Sequence, residues 1–281
     1  MTVKIVTDST ADLPPDLAES LGISVIPLNV HFGTDVFKDG IDIKPDEFYQ
    51  RLTSGAQLPT TSQPNVGEFL SLYNDLAKSN EEIVSVHISD KLSGTLNSAR
   101  QAKDQYEGNT RIETVDSKHG SMGLGLIAVH ASKVAKNGGS VDDVVNAINQ
   151  SIDSVKFFAL LDTLEYLQKG GRIGKARAFM GNLLKLKPIL STKEGEVFPF
   201  ERARSRTKGV DRIFSLVQEG LPVSDLAVFY STTKSEAEDL AARLNPFISS
   251  GEIIMSQIGP VVGTHAGPGV LGVAFNSQNV V

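Results

Sequence analysis

Residues 3–30 read VKIVTDSTADLPPDLAESLGISVIPLNV. A β-branched run at 3–7 is followed by a polar turn, two prolines and a helical pattern over 14–21 that Gly22 stops. A second apolar run, 23–30, predicts another strand. Strand, helix and strand within thirty residues form a βαβ unit, whose strands are parallel because the helix crosses back over the sheet. Outward from this unit the rhythm repeats. Residues 82–88 and 111–115 read as strands, and 45–52, 68–78, 96–106 and 121–136 as helices. Ser140 is placed as the N-cap of a helix over 141–155, with Asp142 and Asp143 in its first turn.

After residue 155 the pattern shifts. A strand at 156–161 and a short helix at 164–169 lead to Gly170-Gly171. The runs 188–191 and 196–200 flank Lys193-Glu194-Gly195 and read as a hairpin, which a purely parallel sheet does not contain. A helix at 208–219, a strand at 225–230, a helix at 235–244 and strands at 253–257 and 270–275 complete the chain. The expected fold is α/β in two domains. Residues 1–155 would carry a mainly parallel, Rossmann-like sheet and residues 156–281 a mixed one.

The 281 residues are 40% hydrophobic and 21% charged, enough for a substantial core and a ligand-sized cavity. Twenty-seven basic side chains against 33 acidic ones give a net charge of −6, and with no helix-turn-helix pattern this argues against nucleic-acid binding. The absence of cysteine excludes disulfides, thiolate metal sites and cysteine catalysis, and the five histidines lack metal-ligand spacing. No basic start followed by an apolar run suggests a signal peptide, and the apolar stretch 122–131 is too short to span a bilayer, so the reading is cytoplasmic without stable membrane insertion.

Two glycine patterns are decoys. The run 123–128, GLGLIA, has the loose form of a dinucleotide loop, but the acids about 20 positions on open a helix instead of ending a strand. Gly170 to Lys175 is one residue short of a phosphate loop, and Ala176 stands where a hydroxyl would hold magnesium. There is no G-x-S-x-G elbow.

Two hydroxyl clusters and one histidine remain. Thr60-Thr61-Ser62 precedes a helix, and Ser93-Gly94-Thr95 follows a strand and opens one. Each alone is accounted for by N-capping, yet loops at the carboxyl ends of α/β strands are where ligands bind, and hydroxyls with free helix N–H groups suit a small anion. Gly94 would let the backbone approach a ligand closely. His265, among glycines in the run 263–269, reads as a turn histidine able to donate to a carboxylate. Lys169, Arg172, Lys175 and Arg177, with Arg202, Arg204, Arg206 and Lys208, would form a positive patch if they meet in space.

The runs 7–13 (TDSTADL), 60–64 (TTSQP), 93–95 (SGT), Glu165 with 169–173 (KGGRI), and 263–269 (GTHAGPG) together resemble the ordered motifs of the DegV family across almost the whole chain. The resemblance implies two α/β domains with a lipid held between them. It implies a chain that is not itself an enzyme: it binds a long-chain fatty acid and presents its carboxylate to the catalytic subunit of a separate fatty acid kinase, which makes acyl phosphate. No cofactor or metal is expected beyond the bound fatty acid. The family's carboxylate-binding positions match Thr61, Ser93 and His265, with backbone donors near Ser62 and Gly94. Arg172 and Arg202 are expected at the carboxylate mouth, in kinase docking or phosphate stabilisation. The competing reading is an independent serine hydrolase with Ser93 as nucleophile and His265 as base, against which stand the missing elbow and the lack of an acid to orient the histidine.

Overall fold

The computed structural model describes residues 3–55, 57–79, 82–248 and 252–277. The first βαβ unit forms as its sequence predicts: β1 (Val3–Asp8), α1 (Pro15–Leu21) and β2 (Ser24–Ile26), with β1 and β2 parallel. Gly22 ends α1 in the left-handed conformation at φ 68°. The expected strand over 23–30 is not continuous. Pro27, which has no N–H to give a ladder, splits it, and β3 (Asn29–Phe32) leaves for a different sheet.

That sheet was not foreseen. β3 turns at Gly33 into β4 (Asp35–Lys38), and after α2 (Pro45–Thr53) the hydroxyl cluster 60–62 becomes β5 (Thr60–Ser62), antiparallel to β3, with Val30 opposite Thr61. A three-residue strand of Thr and Ser beside prolines carries almost no periodicity, so it reads as a loop in the sequence. The remaining βα units follow: α3 (Val66–Ala77), β6 (Glu82–His87), α4 (Thr95–Asp104), β7 (Ile112–Asp116), α5 (Met122–Lys136) and α6 (Val141–Ser154). They close a parallel sheet in the order β2-β1-β6-β7. Asn65 and Ser140 cap α3 and α6 in reciprocal capping boxes with Glu68 and Asp143.

The second sheet starts where the sequence rhythm shifts. β8 (Val155–Leu160) is followed by α7 (Glu165–Lys169), a run of 3-10 turns over 174–185, then β9 (Lys187–Lys193) and β10 (Glu196–Ala203), the hairpin. α8 (Arg206–Glu219), β11 (Val223–Tyr230), α9 (Lys234–Leu244), β12 (Ile254–Gln257), α10 (Pro260–Ala266) and β13 (Leu271–Ser277) complete it. The order is β10-β9-β8-β13-β11-β12, antiparallel except for β11 and β12. The fold is therefore α/β with one parallel sheet, one mixed sheet and the small antiparallel sheet β4-β3-β5. Val155, the last residue of the expected first domain, is the first residue of β8 and pairs with Asn276 within the mixed sheet.

α5 joins the two. It packs on β1 from one side and on β8, β11 and β13 from the other, so nearly its whole surface is buried. This explains the glycines of the dinucleotide decoy. A methyl group on Gly125 would stand 2.7 Å from the Ala11 carbonyl oxygen, so the small residues let helix and turn touch. Among the described residues no helix is long and apolar enough to cross a membrane.

Candidate functional site

The carboxyl ends of β1 and β6 face the mixed sheet, and between them lies a cavity with about 1070 Å³ of space free of atoms, counting the solvent at its mouth. Its walls are mostly aliphatic and aromatic: Leu161, Leu190, Val197, Val262, Phe157 and Phe229 among others. Phe157 and Phe229 stack with ring centres 4.9 Å apart and planes 13° off parallel, which stiffens one wall.

Polar side chains lining the same cavity include Thr61, Ser62, Gln63, Ser93, Arg172 and His265. They come from β5, the β6–α4 loop, the turn after α7, and α10. His265 is in the last turn of α10, not on an open turn as its glycine neighbours suggested; Pro260 starts that helix at its first position and Gly267 ends it at φ 78°. A side chain at Gly267 would also stand 2.3 Å from the Tyr166 ring, so this position requires glycine twice over.

Thr61 and His265, 204 residues apart, meet directly: the Thr61 hydroxyl and His265 Nε2 are 2.9 Å apart. The other ring nitrogen, Nδ1, is buried without a hydrogen-bond partner and lies against Gly170, where a methyl group would come within 2.2 Å of it. Burial pushes the imidazole down to about 4, and the nearby Arg172 guanidinium adds to the fall, so the ring is neutral at pH 7.

Ser93 is bonded to Thr95, with hydroxyl oxygens 2.8 Å apart, and accepts the Thr95 N–H at 3.3 Å. The N-cap of α4 is Gly94, which has no side chain to cap with, so Ser93 makes a local turn bond instead of a cap, and the buried Thr95 hydroxyl holds it in place at the cavity wall. The Ser62 hydroxyl is already engaged by His31 Nε2 at 2.9 Å and by the Asn29 amide at 3.4 Å, both from β3. Gly94 does not line the cavity. A methyl group there would stand 2.5 Å from the Gln63 amide, so the glycine makes room for Gln63, not for close approach of a ligand. Sequence reasoning passed over Gln63 and Thr95 because each looked like a spacer or a cap.

The expected positive patch divides. Lys169 pairs with Glu165, Lys175 lies near Glu194 and Glu196, and Arg206 pairs with Glu236 and lies near Asp162, so these are solvated ion-paired faces. Arg172 is different. It lines the cavity, donates Nε–H to the Leu92 carbonyl at 3.1 Å and another N–H to the Gly170 carbonyl at 2.9 Å. Carbonyls leave its charge unneutralised. Arg202 stands within β10 opposite Pro188 instead of beyond the hairpin, because the second arm runs to Ala203. It is exposed, does not line the cavity, and its guanidinium sits 4.9 Å from the centre of the Phe179 ring.

A hydrolase centre needs a serine bonded to a histidine that an acid orients. Ser93 and His265 each bond to a different threonine, and among the described residues no acid is hydrogen-bonded to His265. The order Ser-His-acid does occur elsewhere: Ser85 Oγ is 2.7 Å from His87 Nε2, and His87 Nδ1 is 2.9 Å from Asp8 Oδ2. All three are fully buried, and Tyr73 donates into Ser85 at 2.9 Å. That chain is sealed from any substrate and serves the core.

Comparison with known proteins agrees with the fold. The family model described as "Uncharacterised protein, DegV family" matches residues 2–278. Protein DegV of Bacillus subtilis is 36% identical over 280 residues, 98% of this chain and 99% of its own. Among solved structures, the fatty-acid-binding DegV family protein of Thermus thermophilus superposes with a TM-score of 0.91 at 34% identity, covering 99% of this chain and all of that one. A stearic acid-binding protein of Eubacterium ventriosum superposes with a TM-score of 0.90 at 26% identity over 98% of each chain. With a family match over almost every residue and relatives above 30% identity along their full length, the chain belongs to the DegV family.

Proposed function

We propose that this chain binds a long-chain fatty acid in the cavity between its two sheets and presents the carboxylate to a separate fatty acid kinase. The observation that carries the reading is one cavity with aliphatic and aromatic walls and Thr61, Ser93, Arg172 and His265 on its polar lining. The similar DegV family protein of Thermus thermophilus binds fatty acid, and the similar protein of Eubacterium ventriosum binds stearic acid. The carboxylate takes hydrogen bonds from Ser93 and from the Thr61–His265 pair. The Ser93 hydroxyl and the Thr61 hydroxyl, which accepts from His265 Nε2–H and so turns its own hydrogen to the ligand, orient it without the tight bidentate grip that an arginine fork would impose, and so leave it able to react. On the kinase, a carboxylate oxygen bonds to the γ-phosphorus of ATP as the bridging bond to ADP breaks, giving acyl phosphate and ADP. This chain supplies the bound nucleophile and no catalytic base.

Mass spectrometry of lipid extracted from purified protein tests the first half: about one fatty acid per chain is expected, and empty protein with esterase activity lost in Ser93→Ala would replace this reading with the hydrolase. Ser93→Ala is expected to weaken fatty-acid binding by about 1.5–3 kcal/mol, the worth of one hydrogen bond to a charged group. Unchanged affinity by titration would remove Ser93 from the contact.

The arginines test the second half. Transfer brings phosphate charge beside a carboxylate, and Arg172 at the cavity offsets that repulsion. Exposed Arg202 offers a planar cation to a partner surface. Arg172→Ala and Arg202→Ala are expected to keep the bound lipid while kinase-dependent phosphorylation falls about tenfold or more. Lipid lost from either variant would place that arginine in fatty-acid binding instead.

A further inference from the structure

Behind the lipid cavity, on the far side of one wall, lies a second cleft. Ser9, Asp12, Pro27, Gly259 and Pro260 face it, while their neighbours Thr10, Leu28, Ile258 and Val261 face the first cavity. Three carboxyls line it: Glu19, exposed at the rim, and the buried Asp12 and Asp39. Asp12 and Asp39 are 6% and 4% exposed, and both converge on Gly259: a methyl group there would stand 3.1 Å from Asp12 Oδ1 and 3.2 Å from Asp39 Oδ1. Asp12 is satisfied by the Gly259 N–H at 2.9 Å and the Ser121 hydroxyl at 2.5 Å. The Ser9 hydroxyl and the Val261 N–H reach the Asp39 carboxyl, yet its Oδ2 has no hydrogen-bond partner. None of the ion pairs among the described residues involves either acid; Lys44, also at the cleft, turns its ammonium to the Gly40 carbonyl.

An unpartnered buried carboxylate oxygen costs free energy that a ligand recovers. The rest of the cleft says which ligand. Its rim carries Val25 and Ile41, 41% and 61% exposed, with Pro14, Pro15 and Pro27 beside them. Among the described residues no third acid or histidine completes a cluster able to hold a metal ion, and a hard divalent cation wants six or more oxygens. An ammonium has three donors in a compact head and, on an aliphatic stem, an apolar body for the rim.

We infer that this cleft is a binding site for a primary ammonium on an aliphatic stem, its head between Asp12 and Asp39 and its stem against Val25, Ile41 and the prolines. Burial raises both acids, Asp39 to about 7, and the Tyr49 hydroxyl lies close enough to feel both. A bound cation would hold them ionised. The inference stands apart from the fatty-acid reading: Ser121 lines the first cavity and bonds Asp12, but none of Thr61, Ser93 and His265 lines the second cleft.

The test is thermal unfolding of the intact protein at pH 7.5 and fixed ionic strength, titrated with ethylammonium, n-hexylammonium or tetramethylammonium chloride. A saturable rise in Tm of several degrees is expected with the primary amines, reached at lower concentration for hexyl than for ethyl, and absent with tetramethylammonium. Asp39→Asn should weaken the amine at least tenfold. Ile41→Ser, a rim substitution that leaves the core untouched, should abolish the hexyl advantage. Acetyl-lysine amide distinguishes the source: binding like hexylammonium assigns the site to a lysine side chain of a partner, and binding by free amines alone assigns it to a small metabolite. No saturable shift with any primary amine, or a shift that survives Asp39→Asn, overturns the inference.

Discussion

Asp8→Ala is expected to cost about 4 kcal/mol of folding stability, the largest loss of any single polar substitution considered for this chain. Asp8 is fully buried at the end of β1 and receives four hydrogen bonds. Its Oδ1 accepts the Thr10 N–H at 3.0 Å and the Thr10 hydroxyl; its Oδ2 accepts the Ile88 N–H at 3.0 Å and His87 Nδ1 at 2.9 Å. A carboxylate can only accept, so His87 Nδ1 carries hydrogen, Nε2 accepts from Ser85, and Ser85 accepts from Tyr73. The chain Tyr73–Ser85–His87–Asp8 is thereby ordered from end to end. Alanine leaves three buried N–H groups without acceptors, each worth about 1–3 kcal/mol, with partial relaxation lowering the sum. Denaturant unfolding followed by circular dichroism reads the change. A loss below about 1 kcal/mol would mean that water or local rearrangement satisfies these donors and that the chain is not a structural unit. The same substitution should loosen the 3-10 turn over Ser9–Ala11, which Asp8 caps and which delivers Thr10 to the cavity wall.

The elements that sequence made legible are those whose order is local. Repeating βα units, a glycine stop after α1, the Ser140 cap and the β9–β10 hairpin each follow from patterns within about fifteen residues. The failures come where one short segment is decided by something far away in the chain. Pro27 reads as a strand residue until the parallel sheet ends there, and Thr60–Ser62 becomes a strand only because β3 offers its edge. The site divides in the same way. Residue type marked Thr61, Ser93, Arg172 and His265, and all four line one cavity. Nothing in the sequence could state that Thr61 bonds His265, that Gly94 accommodates Gln63, or that Ser62 is turned to His31, because each depends on a neighbour contributed by another element. The apolar lining was illegible for a simpler reason. Phe157, Leu161 and Phe229 alternate along core strands like any buried residue, and only the space beside them distinguishes wall from filling.

If the tail of a fatty acid occupies that space, affinity should fall steeply as the tail is shortened. Shortening a saturated acid from sixteen carbons to twelve removes four methylenes, each worth about 0.8 kcal/mol when buried, so binding should weaken by about 3 kcal/mol, or roughly two hundredfold. The head group is identical in the two ligands, which isolates the wall from Thr61, Ser93 and His265. Competition between the two acids for delipidated protein, each below its micelle concentration, measures the ratio directly. Equal affinities would mean that the chain beyond the twelfth carbon lies in solvent, and the cavity would then hold only part of the tail or another ligand altogether. The comparison also separates two kinds of failure. Ser93→Ala should weaken both acids by the same factor and leave the ratio intact, because it touches only the head. A substitution in the wall, such as Leu161→Ser, should weaken the long acid more than the short one if the side chain meets the distal carbons, and both alike if it meets the proximal ones. The ratio thus reads position along the tail from affinity alone, and it ties the apolar lining to function in a way that loss of binding by itself would not.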